Sequence, residues 1–111
     1  MALLTAVSVT TTATTVTAAA AGTSNTISSD DIGDRGALLN IINGAGAPIN
    51  VTLEDPGSTA VGNAGTEAAQ AVANGADRWF KITRNHVDPA TGLATVTLSS
   101  ATTITYKLIR R

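Results

Sequence analysis

The chain has 111 residues, no cysteine, one histidine and one each of Trp, Tyr and Phe, with seven Lys+Arg against eight Asp+Glu for a net charge of −1. That composition excludes a disulfide framework and a thiol nucleophile, and it offers no field of one sign to draw in nucleic acid or an anionic membrane. The length suits one domain whose few large apolar residues make a thin core, the kind of core often supplemented by oligomerisation or docking.

In chain order, Met1-Ala2-Leu3-Leu4 is apolar but lacks the positive flank and continuous apolar run of a signal peptide, so export by a standard signal is not expected. No stretch approaches the roughly 20 apolar residues that span a bilayer. Residues 1–11 read as an extended N-terminal arm or edge strand, and residues 12–111 as the folded domain. Within the latter, Thr12 to Ala21 is β-branched and small with no turn former, and reads as a strand despite the helix propensity of four consecutive alanines. Gly22 to Asn25 reads as a turn. Ser28 to Gly36 gathers Ser, Asp and Gly and is expected to be a loop. Ala37 to Ile42 is a nearly continuous apolar run, as in a strand covered on both faces.

After the turn cluster Asn43 to Pro48 comes the clearest alternation, with Ile49, Val51 and Leu53 on one face and Asn50, Thr52 and Glu54 on the other. Asp55-Pro56-Gly57 ends it, and Ser58 to Thr66 reads as a loop. Glu67 to Ala73 has helix propensity but spans only two turns, so a strand is favoured. If Asn74-Gly75 forms a tight hairpin, this strand pairs with Arg78 to Thr83. A turn over Asp88-Pro89-Ala90-Thr91-Gly92 precedes two further alternating strands. Leu93 to Ser99 carries Ala94, Val96 and Leu98 on one face, and Thr102 to Ile109 carries Ile104, Tyr106 and Leu108. About eight short antiparallel strands joined by Gly/Pro loops predict an all-β fold, a single small β-sandwich or jelly-roll-like domain.

Reactive groups are few and scattered. His86 reads as a solvated loop histidine without a nucleophile or orienting group at hand. Asp30, Asp31 and Asp34 lack the alternate spacing and terminal Glu of a calcium loop and read as turn formers. No Gly is followed by the Lys-Ser/Thr pair of a phosphate loop, and Asn50-Val51-Thr52 reads as a coincidental glycosylation sequon in a strand. No catalytic, metal-binding or cofactor-binding residue is therefore assigned, and an enzyme is the least expected class. In Arg78-Trp79-Phe80-Lys81-Ile82 the alternation puts Phe80 with Ile82 and Trp79 with Lys81. With Phe80 inward, Trp79 is exposed or buried by a partner, unless a loop of its own domain folds over it. Trp and Arg dominate interface energies. The candidate partner interface is accordingly Leu3, Leu4, Arg78, Trp79, Arg110 and Arg111.

Five segments carry a resemblance: Gly-Ala-Leu-Leu-Asn-Ile-Ile-Asn-Gly (36–44), Asp-Pro-Gly (55–57), Arg-Trp-Phe-Lys-Ile (78–82), Asp-Pro-Ala-Thr-Gly with its Val-Thr-Leu strand (88–98), and Ile-Thr-Tyr-Lys-Leu (104–108). From about residue 36 onward the chain resembles small β-sandwich virion proteins of tailed phages that infect actinobacteria, which look like head decoration (cement) proteins or minor capsid components. These motifs are turns and strands, so no functional residue is carried over. The resemblance implies a non-enzymatic protein made in the host cytoplasm and bound to the outer surface of the major capsid protein lattice, as a homo-oligomer with a trimer favoured, and with neither nucleic acid nor membrane as partner. The alternatives are a head–tail joint or tail component and, from another class, a surface carbohydrate-binding module, for which the chain has few aromatic platforms.

Overall fold

The computed structural model describes residues 2–32, 35–55, 61 and 69–110. Among them run eleven β segments: β1 (Ala2–Leu4), β2 (Val7–Ser8), β3 (Ala19–Ala20), β4 (Ser24–Ser28), β5 (Ala37–Asn43), β6 (Ile49–Leu53), β7 (Gln70–Val72), β8 (Asp77–Ile82), β9 (Val87–Asp88), β10 (Leu93–Leu98) and β11 (Ile104–Arg110). The helical pieces among the described residues are two three-residue 3-10 turns, Ser29–Asp31 and Arg84–His86. The strands form two sheets. One has the order β1-β4-β10-β6-β7, with β9 also on β10; the other has the order β2-β11-β5-β8, with β3 also on β11. The fold is an all-β sandwich.

The alternating segments behave as their period dictates. Ala94, Val96 and Leu98 of β10 and Ile49 and Val51 of β6 point inward from the first sheet. Ile104, Tyr106 and Leu108 of β11 and Leu39 and Ile41 of β5 meet them from the second. Between the two sheets these side chains leave water together, each Val, Leu or Ile worth roughly 1.5–3 kcal/mol. Connections between the long strands mostly cross from one sheet to the other, and this interleaving binds the layers into one core.

Three local expectations are overturned. Thr12 to Ala21 is not a strand: only Ala19–Ala20 pairs, on β11. Most of the preceding residues are exposed, and the threonines bond to nearby backbone, as when Thr14 Oγ1 donates to the Thr12 carbonyl at 2.9 Å. With little large apolar side chain to bury, hydroxyls that bond locally compete with a ladder. Gly22 to Asn25 is not simply a turn, because Ser24 already begins β4. Asn25 is buried, and its side chain accepts from the Gly22 N–H (2.8 Å) and donates to the Gly22 carbonyl (2.7 Å), so the turn chemistry is met by a residue whose backbone stays in the strand.

The third concerns Asn74-Gly75. It does turn, with Gly75 at φ +74 and the Ala76 N–H on the Ala73 carbonyl (3.1 Å), yet it makes no hairpin. β7 pairs with β6 and β8 with β5, so the chain changes sheets there. Turn chemistry sets a reversal; the partner is set by what each strand buries. The apolar run of β5 is largely buried on both faces, as expected, although Leu38 and Ile42 on its outer face are half-buried. Part of the 54–68 connection, including Pro56-Gly57 and Glu67, lies outside the described residues.

The first residues of the chain lie on the sheets. β1 adds parallel to β4 in the first sheet, and the chain then crosses through Thr5 and Ala6 so that β2 adds parallel to β11 in the second. Tyr106 Oη accepts the Thr5 N–H at 3.1 Å at that crossing. The N-terminal segment thus supplies the edge strands on one side of the sandwich. On the other side lie β7 and β8.

Candidate docking edge

β8 is held to β5 in an antiparallel register that sets Ile82 opposite Ala37, Phe80 opposite Leu39 and Arg78 opposite Ile41. Gly36 makes this closeness possible at one end: at φ +87, a Cβ there would meet the Ile82 carbonyl oxygen at 2.7 Å. At the other end Asn40, buried, donates from Nδ2 to Asp77 Oδ2 (2.9 Å) and to the Arg78 carbonyl (3.2 Å). The strand is anchored at both ends.

Its free side follows from the ladder. The Asn43 N–H donates to the Ala76 carbonyl and the Asn43 carbonyl accepts from the Gly75 N–H, both at 2.9 Å, so odd-numbered residues of β5 direct their backbone groups toward β8. In an antiparallel pair such groups alternate. Arg78, Phe80 and Ile82 therefore exchange bonds with β5, while Asp77, Trp79 and Lys81 aim N–H and C=O outward, where no described strand pairs with them.

The side chains divide by face. Ile82 is buried and Phe80 half-buried against the core, whereas Trp79 is 53% exposed. Register places Trp79 beside Asn40 and Lys107 on the outer face, with Lys81, Leu38 and Ile109 as the next row. Between the β7 and β8 edges runs a groove of about 410 Å³, with Leu53, Gln70 and Ala71 on one wall and Arg78, Trp79 and Phe80 on the other. A smaller hollow of about 290 Å³ beyond the end of β8 brings Arg35, Lys81 and Arg84 together, so the edge is apolar in the middle and basic at that end.

The other candidate residues do not converge here. Leu3 is 62% exposed on β1, at the opposite edge of the sandwich, while Leu4, expected at a contact surface, is buried in the core of its own chain at 1% exposure. Strand alternation requires one of the two to point inward, and the inward position fell to Leu4. Arg110 is exposed at the end of β11, beside Ser8 and Ala37, and Arg111 lies outside the described residues. Lys81, Leu53 and Ala71 line the groove without standing among the residues expected at the interface; the alternation that exposes Trp79 exposes Lys81 as well.

His86 is not a freely solvated loop residue. It is half-buried in the 3-10 turn, where its Nδ1 accepts the Thr83 N–H at 3.1 Å and lies 3.1 Å from Thr83 Oγ1. It borders a hollow of about 90 Å³ with Glu54, Asp55 and Asp88, and among the described residues no three His, Asp or Glu side chains are placed to hold a metal ion. Asp30 and Asp31 form a 3-10 turn capped by Ser28, whose hydroxyl accepts the Asp30 N–H; Asp34 lies outside the described residues. No helix among the described residues is long and apolar enough to cross a membrane. Comparison with protein-family models, characterised proteins and solved structures returned no match, which leaves the sandwich and its open edge as the features from which a role can be argued.

Proposed function

We infer that this chain is a non-enzymatic structural protein of a phage particle, a capsid decoration protein that binds the outer surface of the major capsid lattice and stabilises the head. The observation that carries the docking part of this reading is the β8 edge. An aromatic side chain half in solvent stands between two basic residues, on a strand whose outer N–H and C=O groups face away from its own sheet. Edges of this kind add a neighbour's strand unless they are blunted, and Trp and Arg supply much of the energy of such contacts. The capsid as the assembly is supplied by the resemblance to phage decoration proteins. Repeated docking on a symmetric lattice adds stability to a thin module through multivalency.

The test is composition of the particle. Purified virions of the phage or prophage that encodes the chain are expected to contain it in hundreds of copies, and heads lacking it are expected to release their DNA at lower temperature. Chain carrying Trp79→Ala is expected to rebind such heads more weakly than the unaltered chain. A copy number near six or twelve would move the protein to the head–tail joint or tail, and its absence from purified particles would end the proposal.

A further inference from the structure

We propose that the β8 edge pairs with the β8 edge of a second copy of this chain, about a two-fold axis at Trp79, joining the two β8-containing sheets into one. The partner is read from the strand itself. Written against its own reverse, Asp77-Arg78-Trp79-Phe80-Lys81 is complementary: with Trp79 facing Trp79 of the second copy, Asp77 faces Lys81, Lys81 faces Asp77, and Arg78 faces Phe80.

Backbone and side chains agree on this register. Asp77, Trp79 and Lys81 are the residues whose N–H and C=O point outward, so each of the facing pairs they form exchanges two hydrogen bonds. Their side chains lie on the outer face, where two opposite-charge pairs flank a pair of indoles. On the inner face, the Arg78 of each copy lies over the Phe80 ring of the other, a cation–π arrangement at the groove walled by Leu53 and Ala71. Neighbouring registers of the same parity are poorer. Moving the axis to Arg78 sets Arg78 against Arg78, and moving it to Phe80 carries Asp77 beyond Lys81 to face Thr83. A shift to the opposite parity puts inward-facing residues against outward-facing ones.

This pairing makes the neighbour at the docking edge a second copy, so that paired chains would meet the capsid and Trp79→Ala would weaken rebinding through lost avidity. The pairing itself does not depend on the capsid. It is measured on the isolated chain, so a protein that pairs in solution yet is absent from particles sinks only the capsid reading. A particle protein that stays single in solution sinks only the pairing.

The experiment is sedimentation equilibrium from nanomolar to high micromolar chain, with tryptophan emission followed on the same samples, since Trp79 is the only tryptophan. A two-chain species is expected, with emission moving to shorter wavelength as it forms. Lys81→Glu, which sets like charges opposite each other twice, is expected to raise the dissociation constant about tenfold or more. Lys81→Arg, which keeps both charge pairs and leaves the Asn40–Asp77 anchor in place, is expected to hold it within about threefold. Trp79→Pro removes an N–H that β5 does not use, so it is expected to leave the circular dichroism of the fold intact and abolish the pairing. A single-chain species throughout, a three-chain species, or a two-chain species that Lys81→Glu does not weaken or that Lys81→Arg weakens as much would each overturn the proposal.

Discussion

Asn43 is buried at the end of β5, where its Oδ1 accepts the Ala45 N–H (2.9 Å) and its Nδ2 donates to the Ala47 and Val72 carbonyls (2.9 and 3.1 Å). One side chain thus orders the 44–48 turn and ties the second sheet to β7 of the first. Among the described residues no buried side-chain nitrogen or oxygen lacks a partner, so removing this one leaves buried backbone groups unmatched. Asn43→Ala is expected to lower unfolding free energy by about 3 kcal/mol, measured by urea denaturation. Thr103 presents the opposite opportunity. It holds φ +53 in the turn before β11, a conformation in which a β-branched side chain is strained and Asn is tolerated. Thr103→Asn is expected to stabilise the chain by about 0.5–1 kcal/mol in the same assay.

Among the elements, β1 and β2 are short additions to long strands, and the crossing between them is fastened where the Thr5 N–H meets the buried Tyr106 hydroxyl. Tyr106→Phe keeps the ring in the core and removes only that acceptor. Amide exchange across residues 2–8 is expected to quicken roughly five- to tenfold, equivalent to about 1 kcal/mol, while exchange in β5 and β10 stays unchanged. β8 differs from β1 and β2 in length and fastening: it is six residues long, anchored at both ends, and no described strand pairs with its outer side. Its two faces were legible in the sequence, because the alternation of Arg78 to Ile82 puts Phe80 and Ile82 inward and leaves Trp79 and Lys81 outward whichever strand it joins. That its outer edge is open was not legible, because openness depends on which strands stand beside it.

At the scale of the whole molecule, the two sheets share one thin core, and nearly every long strand contributes to it from a different stretch of chain. Leu39 lies at its centre with no solvent exposure, paired across β5 with Phe80 and Leu108. Leu39→Ala is expected to cost about 3 kcal/mol, a large part of the roughly 5–15 kcal/mol that holds a domain of this kind together. The loss should appear as one cooperative transition by both circular dichroism and tryptophan emission, because Leu39 sits between the strand that carries Trp79 and the rest of the core. The two edges of the sandwich also differ: one carries the short strands β1 and β2, tied together at Tyr106, and the other bears β7 and β8 and presents the groove.

The sequence by itself determined that the chain is all β and which residues of β6, β8, β10 and β11 face inward. A period of two is a local property, and burying one face needs nothing from distant chain. Pairing is not local. Asn74-Gly75 has the residues of a hairpin but joins two sheets, with β7 on β6 and β8 on β5. Thr12 to Ala21 has strand-like composition but mostly stays outside the ladder, for want of large side chains to bury. Leu3 and Leu4, alike in sequence, part to surface and core. Only the tertiary structure decided these, and with them that Trp79 stands on an open edge rather than beneath a described loop, since an edge exists only once every other strand has its neighbours.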